Sequence, residues 1–307
     1  MTSGSERTLR IGTRRSALAL AQAQGVARAL TRKGYVCSIV PMSTRGDSGE
    51  SIPLSAGGVK GLFVDEIVRA LSEGAIDIAV HSAKDLPAYD PEGVVVAAIP
   101  PRGPAHDVLV TREPSLGPGA RVGTSSLRRR AQFMRSRPRH EIVEIRGNID
   151  TRLRRLAEGG FDGLLLAQAG LTRLALTPDH VEILDASEML PAPAQGFLAI
   201  QTRAAGRGFE AASSLNDPDA RRCWETERHL VRVIGADCAL PVGAFARADE
   251  GALHLDAAAF AEDGSEAIHA RAEGSSPGKV AEDAAAMLLA RGAGALLEPY
   301  ARRAEAS

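Results

Sequence analysis

The sequence predicts an α/β protein of several domains, and three observations carry that reading. Short apolar runs alternate with stretches of helical periodicity over most of the chain, the pattern of strands covered by helices. Aromatic residues make up 4% of a chain that is 44% hydrophobic and holds 31 Gly, which suits helices laid closely on sheets better than an aromatic-rich β-sandwich. Two Pro-rich stretches, Pro100-Pro101-Arg102-Gly103-Pro104 and Pro191-Ala-Pro-Ala-Gln-Gly196, interrupt the pattern where helix and central strand cannot continue. At 307 residues there is room for two or three domains of ordinary size.

Taken in order, Leu9 to Thr13 reads as a first strand, and Ser16 as the cap of a helix that Gly34 stops after Lys33. Tyr35 to Val40 is a second strand. The polar segment Ser43 to Gly61, with Lys60 near its end, is long for a compact domain and reads as a functional or mobile loop. Phe63, Ile67, Val68 and Leu71 then recur at helical spacing. Strands follow at Ile76 to Val80 and Val94 to Ile99, and this βαβαβ order predicts a parallel sheet.

Past the first Pro-rich stretch, strands are expected at Asp107 to Thr111, Arg121 to Gly123, Glu141 to Arg146 and Leu164 to Ala167, with helices over Ser125 to Arg135 and Asn148 to Glu158. After the second, Phe197 to Thr202 reads as a strand again. The chain thus leaves domain 1 (residues 1–100 and 196–217), builds domain 2 (101–195) and returns, which by analogy gives two periplasmic-binding-protein-like α/β domains around a cleft. Residues 218–307 form a smaller C-terminal α/β domain: a helix from Asp219 to Ile234, strands at Leu253 to Phe260 and Ala267 to Ala272, then Ala-rich helical sequence.

Two constellations carry chemistry. His81, Ser82, Lys84 and Asp85 leave the carboxyl end of a buried strand, where ligands of open α/β folds sit, and Pro87 keeps the segment a stiff loop. Taken alone, this stretch reads equally well as a solvated Lys-Asp pair. The stronger signal is charge. Between Ser115 and Arg155 eleven Arg face three acids in a chain whose net charge is −1, which points to a local anionic ligand. Gly123-Thr-Ser-Ser-Leu-Arg-Arg-Arg130 opens a helix with hydroxyls and follows with cations, each opposing the helix dipole by about 0.3–1 kcal/mol when exposed. A carboxylate or phosphate at that N-terminus reverses the sign. Arg146-Gly147-Asn148 repeats the idea, with Arg152 and Arg155 on one helical face and Arg173 a further contact or a surface residue.

Other classes are excluded on the same residues. Phe133 is the single aromatic among those arginines, so single-stranded nucleic acid finds no stacking platform. Neither a dinucleotide nor a Walker motif occurs, and the seven His show no metal-binding spacing. Cys37, Cys223 and Cys238 are too far apart for a disulfide framework, and neither a leader nor an apolar run of about 18 residues, long enough to span a bilayer, is evident, so a soluble, unprocessed, cytoplasmic protein is expected. Cys238, on the loop Gly235 to Pro241, reads either as a small buried hydrophobe or as a thiolate that serves as nucleophile or attachment point.

Together, Thr13-Arg-Arg-Ser16, Thr44-Arg-Gly-Asp47, Lys60-Gly-Leu-Phe63, His81 to Pro87, Gly123 to Arg129, Arg146-Gly-Asn148 and the Cys238 loop resemble, in order and spacing, the porphobilinogen deaminase (hydroxymethylbilane synthase) family of tetrapyrrole and heme biosynthesis. The resemblance implies three α/β domains and a dipyrromethane cofactor joined to Cys238 by a thioether. It implies a transferase that adds four porphobilinogen molecules head to tail, with loss of ammonia, and releases hydroxymethylbilane by hydrolysis. Carried over by motif, Asp85 is catalytic; Ser82, Lys84, Thr124, Ser126, Arg128 and Arg129 hold the cofactor; Arg14, Ser16, Arg146, Arg152 and Arg173 bind substrate carboxylates; and Lys60 belongs to a mobile loop. A monomer without metal, membrane or nucleic-acid partner is expected. Two departures stand out. Asp237 and Ala239 flank Cys238 where the family carries Gly and a polar residue, and Ala194 stands where Gly commonly precedes Gln-Gly, so that strand entry there is expected to differ. The rival reading is a non-catalytic binding module with the same two-lobed cleft for a small polycarboxylate.

Overall fold

β1 (Leu9–Arg14) is followed by α1 (Ala17–Thr31), whose N-terminus is capped by Ser16: its Oγ accepts the Ala19 N–H at 3.3 Å. β2 (Cys37–Met42), α2 (Gly61–Ser72), β3 (Ile78–Ser82) and β4 (Val94–Ala98) come next. The computed structural model describes residues 8–42, 61–235 and 240–305, so Lys60, most of the predicted long loop and Cys238 lie outside the described residues. Two units emerge, one of residues 1–102 with 197–221 and one of residues 103–196 with 222–307.

The sheet of the first unit runs β2-β1-β3-β10-β4, where β10 is Leu198–Arg203. β1 is parallel to β2 and β3, but β10 is antiparallel to both β3 and β4. The four strands of the predicted parallel run, β1 to β4, share one direction, and the sheet is mixed because β10 enters between β3 and β4 in the opposite one. The link from β3 to β4 carries no α-helix among its residues, only a 3₁₀ turn at Ala83–Asp85, and the returning strand fills the slot that this link skips. Ile78, Ala79 and Val80 are buried on both faces, as an unbroken apolar run in a central strand requires. On one face α1 and α6 (Arg207–Ser213) set Ala23, Val26, Leu30 and Ala211 against Leu9, Ile11, Val80 and Ile200. On the other, α2 sets Ile67 and Leu71 against Ile76, Ala79 and Val94. Each fully buried Leu or Ile contributes roughly 2–3 kcal/mol.

In the second unit, β5 (Asp107–Thr111), β6 (Arg121–Gly123), β7 (Glu141–Val143), β8 (Gly163–Ala167) and β9 (His180–Leu184) form a sheet of order β7-β6-β8-β5-β9. β6 is parallel to β7 and β8, and β5 is antiparallel to β8 and β9. Both sheets thus share one order, second-first-third-inserted-fourth. In each, the inserted antiparallel strand is the one that follows a Pro-rich crossing. Each sheet by itself has the mixed α/β topology expected of a periplasmic-binding-type domain. α3 (Leu127–Ser136), α4 (Ile149–Ala157) and α5 (Gln168–Leu174) connect the strands.

A third sheet, β11-β12-β13, is an antiparallel meander of Val242–Asp249, Ala252–Phe260 and Ala267–Gly274. α8 (Pro277–Ala290) covers it with Val280, Ala281, Ala284 and Leu288, and α9 (Ala293–Glu305) follows. Ahead of it, α7 (Pro218–Val233) starts where Asp217 Oδ1 accepts the Ala220 N–H at 2.8 Å.

Candidate active site

In the first unit β3 delivers His81 and Ser82 to the sheet's carboxyl edge, and the 3₁₀ turn carries Lys84 and Asp85 beyond it. Gln22 on α1 donates its Nε2 to Ser82 Oγ at 2.8 Å and fixes that hydroxyl. Asp85 is exposed, as a group that meets a ligand must be. Ser16 spends its hydroxyl on the α1 cap, while Arg14 ends β1 close enough to His81 to repel its proton. His81 is buried on the face it shares with Gln201, its diagonal neighbour across β3 and β10. Burial lowers its pKa from 6.5 to about 4, with Asp85 pulling the other way and Arg14 assisting. His81 therefore works as a neutral ring.

That shift has a measurable consequence. Between pH 6.5 and about 4 the unfolded chain takes up the His81 proton and the folded protein does not. Stability is therefore full above pH 6.5 and falls as the pH drops through that window, by on the order of 3 kcal/mol. Urea midpoints measured at several pH values should show this slope in the parent and a flatter one in His81→Asn; an unchanged slope would assign the titration to another group.

The second unit gathers the predicted anion site. Thr124 is buried and its Oγ1 accepts the Ser126 N–H at 3.2 Å, while Ser126 caps α3 by accepting the Arg129 N–H at 3.4 Å. Arg128 and Arg129 are 3% and 7% exposed and converge on Asp107, the first residue of β5. Arg128 Nη1 lies 2.7 Å from Asp107 Oδ2 and donates to Leu190 O at 2.7 Å. Arg129 donates Nε and Nη2 to Asp107 Oδ1 at 3.0 and 2.8 Å, and Nη1 to Leu165 O at 3.1 Å. Burial alone would raise the Asp107 pKa, but the two guanidinium groups overcome it and hold the carboxyl well below the usual range.

Two more of the predicted arginines belong to this unit. Arg152 on α4 donates Nε to Gly147 O at 2.8 Å, and burial followed by the charge of Arg129 lowers its pKa. Arg173, which α5 carries, donates Nη2 to Gly196 O at 2.6 Å, and burial takes its pKa to about 10. Gly196 has φ of 90°, and a Cβ there would lie 2.6 Å from Gly103 O, so only glycine fits beneath Arg173. Arg152 and Arg129 repel one another, a local excess of positive charge that an anion would relieve. Arg146 stands apart: it is exposed and its Nε donates to Glu144 Oε1 at 2.9 Å.

Sequence reasoning missed Asp107 as a site residue and treated Gln195 only as part of a departure. Gln195 is 1% exposed and donates Nε2 to Ala105 O at 2.7 Å and to Asp107 Oδ1 at 2.9 Å. Ala194 before it has φ of 62°, the left-handed conformation that a glycine adopts freely and that costs an alanine about 1 kcal/mol or more. The turn keeps its glycine-like shape without the glycine. The one signal in the sequence was a carboxylate opening the apolar run Asp107-Val-Leu-Val110.

Among the described residues no group of three or more His, Cys, Asp or Glu is placed to hold a metal ion. Of the cysteines described, Cys223 is buried on α7, and Cys37 is half-buried in β2 with its thiol pKa raised by burial.

Residues 9–210 match the family model described as porphobilinogen deaminase, dipyromethane cofactor binding domain, and residues 221–290 match that of the porphobilinogen deaminase C-terminal domain. The chain is 43% identical over 298 residues to the porphobilinogen deaminase of Acidithiobacillus ferrooxidans, covering 95% of this chain and 97% of the relative. It is 42% identical over 306 residues to that of Syntrophobacter fumaroxidans, covering 97% and 99%. Among solved structures the likeness is distant: an ancestral cationic amino acid solute binding protein aligns at 15% identity with a TM-score of 0.42, over 68% of this chain and 87% of that one. By its motifs and its relatives, the chain belongs to the porphobilinogen deaminase family.

Proposed function

We propose that the protein joins four porphobilinogen molecules head to tail on a dipyrromethane primer attached to Cys238, and releases hydroxymethylbilane by hydrolysis. The observation that carries this is the convergence of Arg128 and Arg129 on the carboxylate of Asp107, with Arg152 close enough to feel the charge of Arg129. Each pyrrole brings an acetate and a propionate, so a chain of up to six rings presents up to twelve carboxylates, and an excess of arginines fits such a ligand. When bound, the dipyrromethane supplies the free pyrrole carbon that the first substrate joins.

The chain's own groups divide the remaining work. Arg128, Arg129, Thr124, Ser126, Lys84 and Ser82 anchor primer carboxylates; Arg14, Ser16, Arg146, Arg152 and Arg173 meet those of the substrate. Asp85, exposed beyond β3, accepts hydrogen bonds from pyrrole N–H groups. It stabilises the positive charge that develops on the incoming ring as the amino nitrogen of its aminomethyl group leaves as ammonia and the methylene carbon stays to form the new bond, and it assists the proton transfers. A neutral His81 below it adds no competing positive charge. Residues 218–307 act as a third domain that brings the attachment cysteine. The buried state of Cys223 and the raised thiol of Cys37 favour Cys238 for that task. We place the protein in the cytoplasm as a monomer without nucleic-acid or membrane partner; the wide spacing of Cys37, Cys223 and Cys238 along the sequence suits a reducing compartment, and among the described residues no helix is long and apolar enough to cross a membrane.

The intact mass of the purified protein tests this reading. An excess equal to two porphobilinogen units less two ammonia is expected in the parent and absent in Cys238→Ser. A parent mass that stays unmodified even after incubation with porphobilinogen or hydroxymethylbilane would leave a binding module in place of an enzyme.

A further inference from the structure

A line of buried hydrogen bonds leads to the arginine cluster from a residue that the mechanism above does not use. Glu227, midway along α7, is 0% exposed. Its Oε2 accepts the Ala194 N–H at 2.6 Å and its Oε1 accepts the Ala246 N–H of β11 at 2.7 Å. Ala194 is the non-glycine residue with φ of 62°, so the carboxylate grips the turn at its strained position. The next two residues both touch the anion site: Gln195 donates to Asp107 Oδ1, and Gly196 O accepts from Arg173. β11 is tied to the start of the same turn, since the Ala244 N–H donates to Pro191 O at 2.9 Å.

We propose that Glu227 is a positioning residue for the reaction: by holding the Ala194 N–H it fixes the turn 191–196 so that Gln195 stays on Asp107 and Gly196 on Arg173, which sets the geometry in which Arg128, Arg129 and Arg173 meet ligand carboxylates. This assignment rests on the functional reading given above. Both carboxylate oxygens are needed because each accepts from a different backbone segment. An amide in their place keeps the size of the side chain but turns an N–H against one of the two backbone N–H groups. Restraint of this kind, from outside the groups that touch the ligand, governs how closely a cluster of arginines matches a set of carboxylates.

The test is steady-state kinetics of the holoenzyme with porphobilinogen for Glu227→Gln, Gln195→Ala and the double variant, with melting curves alongside. Glu227→Gln is expected to raise KM by about tenfold or more, with a smaller change in kcat, the effect of a displaced binding group. Since Glu227 acts through Gln195, the double variant should be no worse than the worse single one. A Glu227→Gln protein that melts earlier but keeps the parent KM, or single effects that multiply in the double variant, would overturn the assignment. If Glu227→Gln does not fold, Gln195→Ala decides: an unchanged KM there removes the link through which Glu227 acts. A parent protein without turnover would instead sink the functional reading, and this assignment with it.

Discussion

Asp107→Asn is expected to destabilise the protein by about 3–5 kcal/mol, the loss measured when one partner of a buried ion pair is removed and the other charge stays behind. Here the charge left behind is double. Arg128 and Arg129 are almost wholly buried, both are aimed at Asp107, and neither guanidinium gives up its proton under ordinary conditions. The Asn amide keeps the shape and one acceptor, so the loss reports charge rather than a cavity. Urea unfolding at neutral pH gives the number, and a loss below about 1 kcal/mol would show that the two arginines find other anions or water without cost. The pH dependence separates this group from His81. The depressed Asp107 pKa means that its stabilisation is present in full above about pH 4, the unfolded value, and is lost as the pH falls below it. Asp107→Asn should therefore flatten the stability curve below about pH 4 and leave the slope between pH 6.5 and about 4, which belongs to His81, in place.

The largest effect on activity is expected from Asp85→Asn. The amide keeps size and hydrogen-bond reach but cannot balance a positive charge or take a proton, and loss of one such electrostatic contact lowers turnover by about 10²–10³-fold or more. Because Asp85 is exposed, stability should change by less than about 0.5 kcal/mol, and ligand carboxylates should still bind through the arginines. The measurement is kcat beside a melting curve. An Asn enzyme with parental turnover would remove Asp85 from the chemistry, and equal losses of fold and activity would make its role structural.

These effects were unequally legible in the sequence. Helices with a cap and a periodic face declared themselves, as Ser16 and Ser126 show. α5, α6 and β9 are short, and β11 is built from Val-Gly-Ala-Phe-Ala-Arg-Ala, whose small residues mute the alternation by which strands are recognised. The antiparallel place of β10 was hidden for a different reason. Which strands a segment pairs with depends on edges elsewhere in the chain, and nothing local records it. The same division runs through the site. Residues that share a motif, such as Thr124, Ser126, Arg128 and Arg129, were found together. Asp107 and Gln195 reach that motif only through the sheet and the second crossing, and each reads locally as a strand end or a turn. At Ala194 the surrounding bonds hold the backbone in the left-handed conformation that a glycine adopts freely, and no local pattern announced the carboxylate that grips it.

The slot between β3 and β4 has a consequence for the order of events during synthesis. When Arg102 leaves the ribosome, every strand of the first sheet but one exists, yet β3 and β4 lack the neighbour they share, which arrives only with Leu198–Arg203. The nascent N-terminal segment thus waits, with unpaired backbone donors and acceptors along both strands, while the whole inserted segment is translated. Spatial neighbours that are remote in the chain slow folding and prolong exposure to other strands that fit the gap. Truncation at the first Pro-rich crossing cannot yield a self-sufficient piece; a stable fragment of this unit has to carry residues 197–221 joined to it.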